Sequence, residues 1–193
     1  MNNKMVNLSY EPLYVTYLVY FNRDRDYFEC HEVLEELWLR LDRDPVYKGL
    51  LQIAVGLFHF RNGNYRGGHM MLDSAVHRLE HTPPQALGIN MAKLVDEARA
   101  CARQLAEFVA AGKEQLLHQP PVYRDLTIEI VDPGLRRAVN NVSPSIPANV
   151  PQQRRPQRGE KHEQRQQALE ASIRRRQAAY DSCIASPETK GAT

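Results

Sequence analysis

The run His31-Glu32-Val33-Leu34-Glu35-Glu36-Leu37-Trp38 decides how this chain is read. At about 100° per residue, a helix puts Tyr27, Leu34 and Trp38 within about 60° of His31 on one side and Glu35 about 40° away on the other. Glu32, Glu36 and Arg40 then point outward. An imidazole and a carboxylate are thus expected among core residues. Burial of such a pair is costly unless it is well hydrogen-bonded, so it needs a structural or a functional reason.

Outward from that helix, apolar residues recur at helical spacing through most of residues 10–112, and the breaks are short. Five helices are expected. The first runs from about Pro12 to Phe21, and the second from the Asp24 to Asp26 cluster to about Asp42. Asp44-Pro45 opens a third, Val46 to about Arg61, apolar nearly all round except at Lys48, Gln52 and His59, as befits the centre of a bundle. Asn62-Gly63-Asn64 supplies a turn with Asn64 as N-cap of a fourth helix, which ends before Thr82-Pro83-Pro84. A fifth spans about Gly88 to Ala111 with one apolar stripe. Gly67 and Gly68, costly in a helix, point to a close helix approach.

The chain also matches itself at an offset of 38: Tyr27 with Tyr65, His31 with His69, Leu34 with Leu72, Glu35 with Asp73. Two related helical hairpins, with helix five as the capping element, explain that match. The fold class expected is therefore all-α, a compact bundle of about five helices built from two hairpins plus a cap. Pro120-Pro121 and the alternation Leu126-Thr127-Ile128-Glu129-Ile130 indicate an extended segment laid over the bundle and stopped by Asp132-Pro133. Residues 1–132 form the helical domain in this reading, and residues 133–193 a disordered or partly helical basic tail.

Charge divides along the same line. Residues 1–132 hold 14 Lys+Arg against 18 Asp+Glu, whereas residues 133–193 hold 11 against 5. The acidic front argues against a folded nucleic-acid surface, so nucleic acid is expected only through the tail. Three cysteines without framework spacing indicate a reducing compartment, the cytoplasm. No signal peptide or run of about 18 apolar residues is present, so no membrane is expected.

Phe21-Asn22, then the run from Tyr27 to Trp38, then Lys48-Gly49-Leu50-Leu51-Gln52-Ile53-Ala54, then Gly63-Asn64 with Gly67, stand in the order of a known family. Over roughly residues 10–90 the chain resembles the bacterial domain-of-unknown-function family 309. The resemblance implies a small all-helical fold and carries no established activity. The long basic tail departs from it.

His31 and Glu35 with the repeat-related His69 and Asp73 make an N/O set of the kind that holds a divalent metal. The spacing is neither the HExxH of zinc proteases nor the Glu-x-x-His of ferritin-like proteins. The bland alternative is a polar pocket of His31, Glu35, Trp38, Gln52 and His59, in which His31 and Glu35 bond to each other and to Gln52 and fix the helix register. A His oriented by a carboxylate would also serve as a general base, but no partnered nucleophile is recognisable, and Cys30 projects about 100° from His31. The sequence leads to a helical-hairpin interaction or structural module held by a buried His-Glu-Gln network, partnered by a second copy or another protein. The alternative is a metal- or small-ligand-binding protein, hydrolytic enzymes included, using His31 and Glu35.

Overall fold

The structure, a computed structural model, describes residues 10–111 and 119–148. Among them are six α-helices: α1 Pro12–Val19, α2 Tyr27–Arg40, α3 Pro45–Arg61, α4 Tyr65–Leu79, α5 Met91–Ala110 and α6 Pro133–Val142. A π-helical turn, Tyr20–Asp24, continues α1. No helix among the described residues is long and apolar enough to cross a membrane.

Local chemistry sets the helix starts. Asp26, Asp44, Asn64, Asn90 and Asp132 each accept a hydrogen bond from a first-turn backbone N–H of α2 to α6 in turn. Such caps stabilise a helix by about 1 kcal/mol each. Pro12, Pro45 and Pro133 occupy first turns, where the missing N–H costs nothing.

Helices adjacent in sequence pack against one another from α1 through α5, with α3 central. Tyr14, Tyr17, Leu18, Leu34, Leu50, Ile53, Leu57, Leu72 and Leu105 are fully buried among them. The α3–α4 contact is close: a Cβ on Gly56 would lie 2.6 Å from Leu72 Cγ, and one on Gly68 3.3 Å from the Gly56 carbonyl oxygen. Gly68 thus meets the expectation of a close approach, whereas the nearest atoms to a Cβ on Gly67 would be those of the Asn64 side chain, its own helix's cap.

The repeat is visible in the backbone. Helices α2 and α4 begin 38 residues apart behind the caps Asp26 and Asn64, and each cap follows a left-handed residue, Arg25 at φ 55° and Gly63 at φ 75°. Residues 119–132 carry no regular secondary structure beyond one antiparallel bridge between Ile89 and Ile130, less than the strand-like segment expected, but Leu126 and Ile128 are buried as the alternation predicts.

The folded part passes the expected boundary at Asp132. Helix α6 packs on α1 with Leu135 fully buried, so residues 133–148 are not tail. Asp132-Pro133 is a cap followed by an N1 proline, a start signal rather than a stop. The rest of the expected disordered or partly helical tail, residues 149–193, lies outside the described residues.

Candidate functional site

On α2 the buried positions are Tyr27, Cys30, Leu34 and Leu37. The centre of that stripe lies about 80° from His31, so His31, Glu35 and Trp38 form its edge and not its middle. His31 keeps 32% of its side chain exposed, and its Nδ1 stands 3.1 Å from Glu32 Oε1. Glu35 is half-buried. The expected buried His-Glu pair is therefore corrected to a half-buried edge row at i, i+4, i+7.

A second row runs along α3: Lys48, Gln52, Val55 and His59 at i, i+4, i+7, i+11. The short α2–α3 turn makes these helices antiparallel neighbours, and the rows meet where Lys48 Nζ sits 4.2 Å from the centroid of the Trp38 ring. The Arg43 guanidinium lies 6.0 Å from the same ring. Trp38 Nε1 is the one buried side-chain nitrogen or oxygen among the described residues without a hydrogen-bond partner.

Gln52 is only 7% exposed and ties α3 to α4. Its Nε2 donates to Ser74 Oγ at 2.9 Å, and its Oε1 accepts from Arg78 Nε at 2.9 Å. The polar tie expected at His31 and Glu35 thus has its clearest form one helix further on. His59 sits at the far end of the α3 row, its Nδ1 3.2 Å from Asn64 Nδ2, and burial pushes its pKa below the ordinary imidazole value.

The four residues of the expected metal set are not gathered. His69 Nδ1 donates to the Ala102 carbonyl on α5 at 3.2 Å, and Asp73, about half exposed, stands 3.7 Å from His77 Nε2 on its own helix. Among the described residues no three His, Cys, Asp or Glu side chains are grouped to hold a metal ion. Repeat-equivalent residues occupy equivalent places on successive hairpins, so His31 and His69 face different surroundings.

A polar cluster that sequence reasoning missed lies at residues 20–27. Asn22 Nδ2 donates to the Ile128 carbonyl and Asn22 Oδ1 accepts from the Ile128 N–H, both at 2.8 Å. The Arg25 guanidinium donates to the Leu126 carbonyl and to Thr127 Oγ1, and Arg23 donates to the carbonyls of Ser143 and Ile146. Tyr27 and Tyr123 both donate to Asp125 Oδ1, at 2.7 and 2.6 Å. Burial, and then these bonds, push the Tyr27 phenol far above its ordinary pKa. Arg61 braces the turn by donating to the Arg25 carbonyl at 2.7 Å, with its guanidinium 4.9 Å from the Tyr27 ring centroid. Phe21-Asn22 is part of the family resemblance, but the partners of Asn22 lie 106 residues away, beyond any local pattern.

Comparison with known proteins places the α2–α3 rows inside a recognised unit. A family model described as "Domain of unknown function (DUF309)" matches residues 14–71, which bears out the resemblance carried by the motifs. The chain is 36% identical over 116 residues to the uncharacterized protein YpuF of Bacillus subtilis (strain 168), covering 56% of this chain and 64% of that protein. It is 29% identical over 72 residues to an uncharacterized protein of Aquifex aeolicus (strain VF5), covering 36% of this chain and 22% of that protein. The chain spans less than two thirds of either relative. No solved structure matches.

Proposed function

Starting from a chain whose residues 14–71 match a family without an assigned activity, we propose that the protein is a helical-hairpin interaction module. Its binding face is the α2 edge row His31, Glu35 and Trp38, with Lys48 of α3 at its Trp38 end; Gln52 lies beneath that surface, bonded to Ser74 and Arg78. The observation that carries this reading is the Trp38 corner: a half-buried indole flanked by Lys48 and Arg43, its N–H desolvated and without an acceptor. A buried donor left unpaired costs about 1–3 kcal/mol; Nε1 is closed to solvent, so a partner's carbonyl or carboxylate oxygen recovers that cost only when the indole turns outward on docking. Tryptophan and arginine at a surface junction are also the residue types that dominate association energies.

The partner is a second copy or another protein. The free Cys30 and Cys101 support a reducing, cytoplasmic setting. Contact with polyanions, where it occurs, belongs to the basic sequence after residue 133.

A photo-crosslinking residue placed at Leu39, which is 48% exposed beside Trp38, tests the face against a control at Val122, 69% exposed on the extended segment. The expected result is one adduct of fixed mass from position 39, reduced by Trp38→Ala; a mass of two chains identifies a second copy. The same adducts from both positions, or none from position 39, overturn the reading.

A further inference from the structure

The turn at residues 20–26 combines two rare backbone features, the π-helical Tyr20–Asp24 and the left-handed Arg25 at φ 55°. A non-glycine residue held there is strained, and π-turns and left-handed residues concentrate at functional positions. Both features serve one purpose here: they aim Asn22 and Arg25 at the backbone of an extended chain. Asn22 supplies one donor and one acceptor to a single residue, Ile128, just as a neighbouring β-strand would. Across from it, the Asn90 N–H donates to the Glu129 carbonyl at 2.8 Å and the Val131 N–H to the Gly88 carbonyl at 2.9 Å.

Most of these bonds go to main-chain groups, so they recognise an extended strand whatever its sequence. Selectivity comes from three side chains only. Asp125 accepts from Tyr27 of the clamp and from Tyr123 of the strap itself, and Leu126 and Ile128 are buried, while Thr127 between them is exposed. We propose that residues 20–27 with the facing 88–90 backbone form a second binding site, a clamp for an extended peptide that begins with the pattern acidic–apolar–any–apolar, occupied in this chain by its own residues 125–131, of which 125–128 carry the pattern. A partner carrying that pattern binds by displacing the chain's own strap. This site is separate from the α2–α3 face and stands whether or not that face binds a partner.

The test uses the full chain with Leu126→Ala and Ile128→Ala, which weaken the strap without touching the clamp, and a dye-labelled synthetic peptide of residues 122–131. Fluorescence anisotropy is expected to show saturable binding to this variant at least tenfold tighter than to the unaltered chain. Adding Asn22→Ala is expected to weaken it at least tenfold again. No saturable binding to a folded variant, or affinity indifferent to Asn22, overturns the proposal. If the variant does not fold, hydrogen exchange of the unaltered chain decides. Exchange of residues 125–131 while α3 stays protected supports a strap that opens, and exchange of both only together overturns it.

Discussion

Asn22 and Ile128, 106 residues apart, are joined by two 2.8 Å hydrogen bonds that pair a side-chain amide with both polar groups of one backbone unit. That pairing connects the first hairpin to the segment that covers it. It also satisfies the backbone of a residue that is only 1% exposed, where an unpaired N–H or C=O would be costly.

Removing Asn22 therefore strands two buried groups at once. Asn22→Ala is expected to lower unfolding free energy by about 1–3 kcal/mol. Asn22→Asp keeps the acceptor for the Ile128 N–H but sets a carboxylate against the Ile128 carbonyl, so it restores only part of the loss. Urea unfolding of the three proteins checks this order, and a fully stable Asn22→Ala would show that the strap is held without this pairing.

Gln52 is the second polar anchor, set between Ser74 and Arg78. Gln52→Ala is expected to cost about 1–3 kcal/mol, because Ser74 loses its partner and a cavity opens. His31→Ala is expected to stay within about 0.5 kcal/mol, since the imidazole is a third exposed and pairs with a solvent-side glutamate. A double-mutant cycle of Gln52→Ala with Ser74→Ala measures the coupling. A His31 cost above that of Gln52 would return the helix tie to the α2 edge.

These two anchors also mark where sequence reading stops. The caps Asn64 and Asp44 and the matches of Tyr27 with Tyr65 and Leu34 with Leu72 at an offset of 38 are local or periodic, so the helix order and the hairpin repeat are legible without coordinates. Residues His31, Glu35 and Trp38 are correctly grouped on one row of α2. Their depth is misjudged, because Cys30 and Leu37 shift the buried stripe away from them. The partners of Gln52 and Asn22 lie 22 and 106 residues away, and no periodicity encodes them. Asp132-Pro133 carries a start signal that, placed after a strand-like alternation, reads as a stop.

Helix α3 leaves no room for a side chain at Gly56, where an added Cβ would approach Leu72 Cγ to 2.6 Å and the Leu72 backbone nitrogen to 3.2 Å. Alanine is the better helix former by about 1 kcal/mol, so propensity and packing oppose each other. Packing is expected to win: Gly56→Ala forces α3 and α4 apart and lowers stability by about 1–3 kcal/mol. Pairing it with Leu72→Ala, which makes space, is expected to recover part of the loss in a thermal melt. Gly56→Ala alone raising the melting temperature would refute the close approach.

Cys30 is fully buried, and burial pushes its thiol well above its ordinary pKa, so little thiolate forms near neutrality. With Cys101 and Cys183 replaced by Ser, an aromatic disulfide reagent is expected to modify Cys30 only at the rate at which the protein opens. Labelling in denaturant is then immediate. Modification in seconds under native conditions would show that the α1–α2 packing is looser than described.

His59 supplies a pH dependence whose sign follows from burial. Desolvation lowers its pKa from 6.5 in the folded chain, so the unfolded chain binds the proton more readily. Stability from this group is complete above about 6.5 and declines as pH falls from there through the lower folded value. His59→Gln cannot titrate and retains a hydrogen-bonding group near Asn64. Urea midpoints measured at several pH values between 7.5 and 5 are expected to fall less steeply in this variant than in the unaltered chain. The other histidines are common to both proteins, so the difference between the two slopes isolates His59. Equal slopes would mean that its imidazole is as well solvated folded as unfolded, and a steeper fall in the variant would reverse the sign.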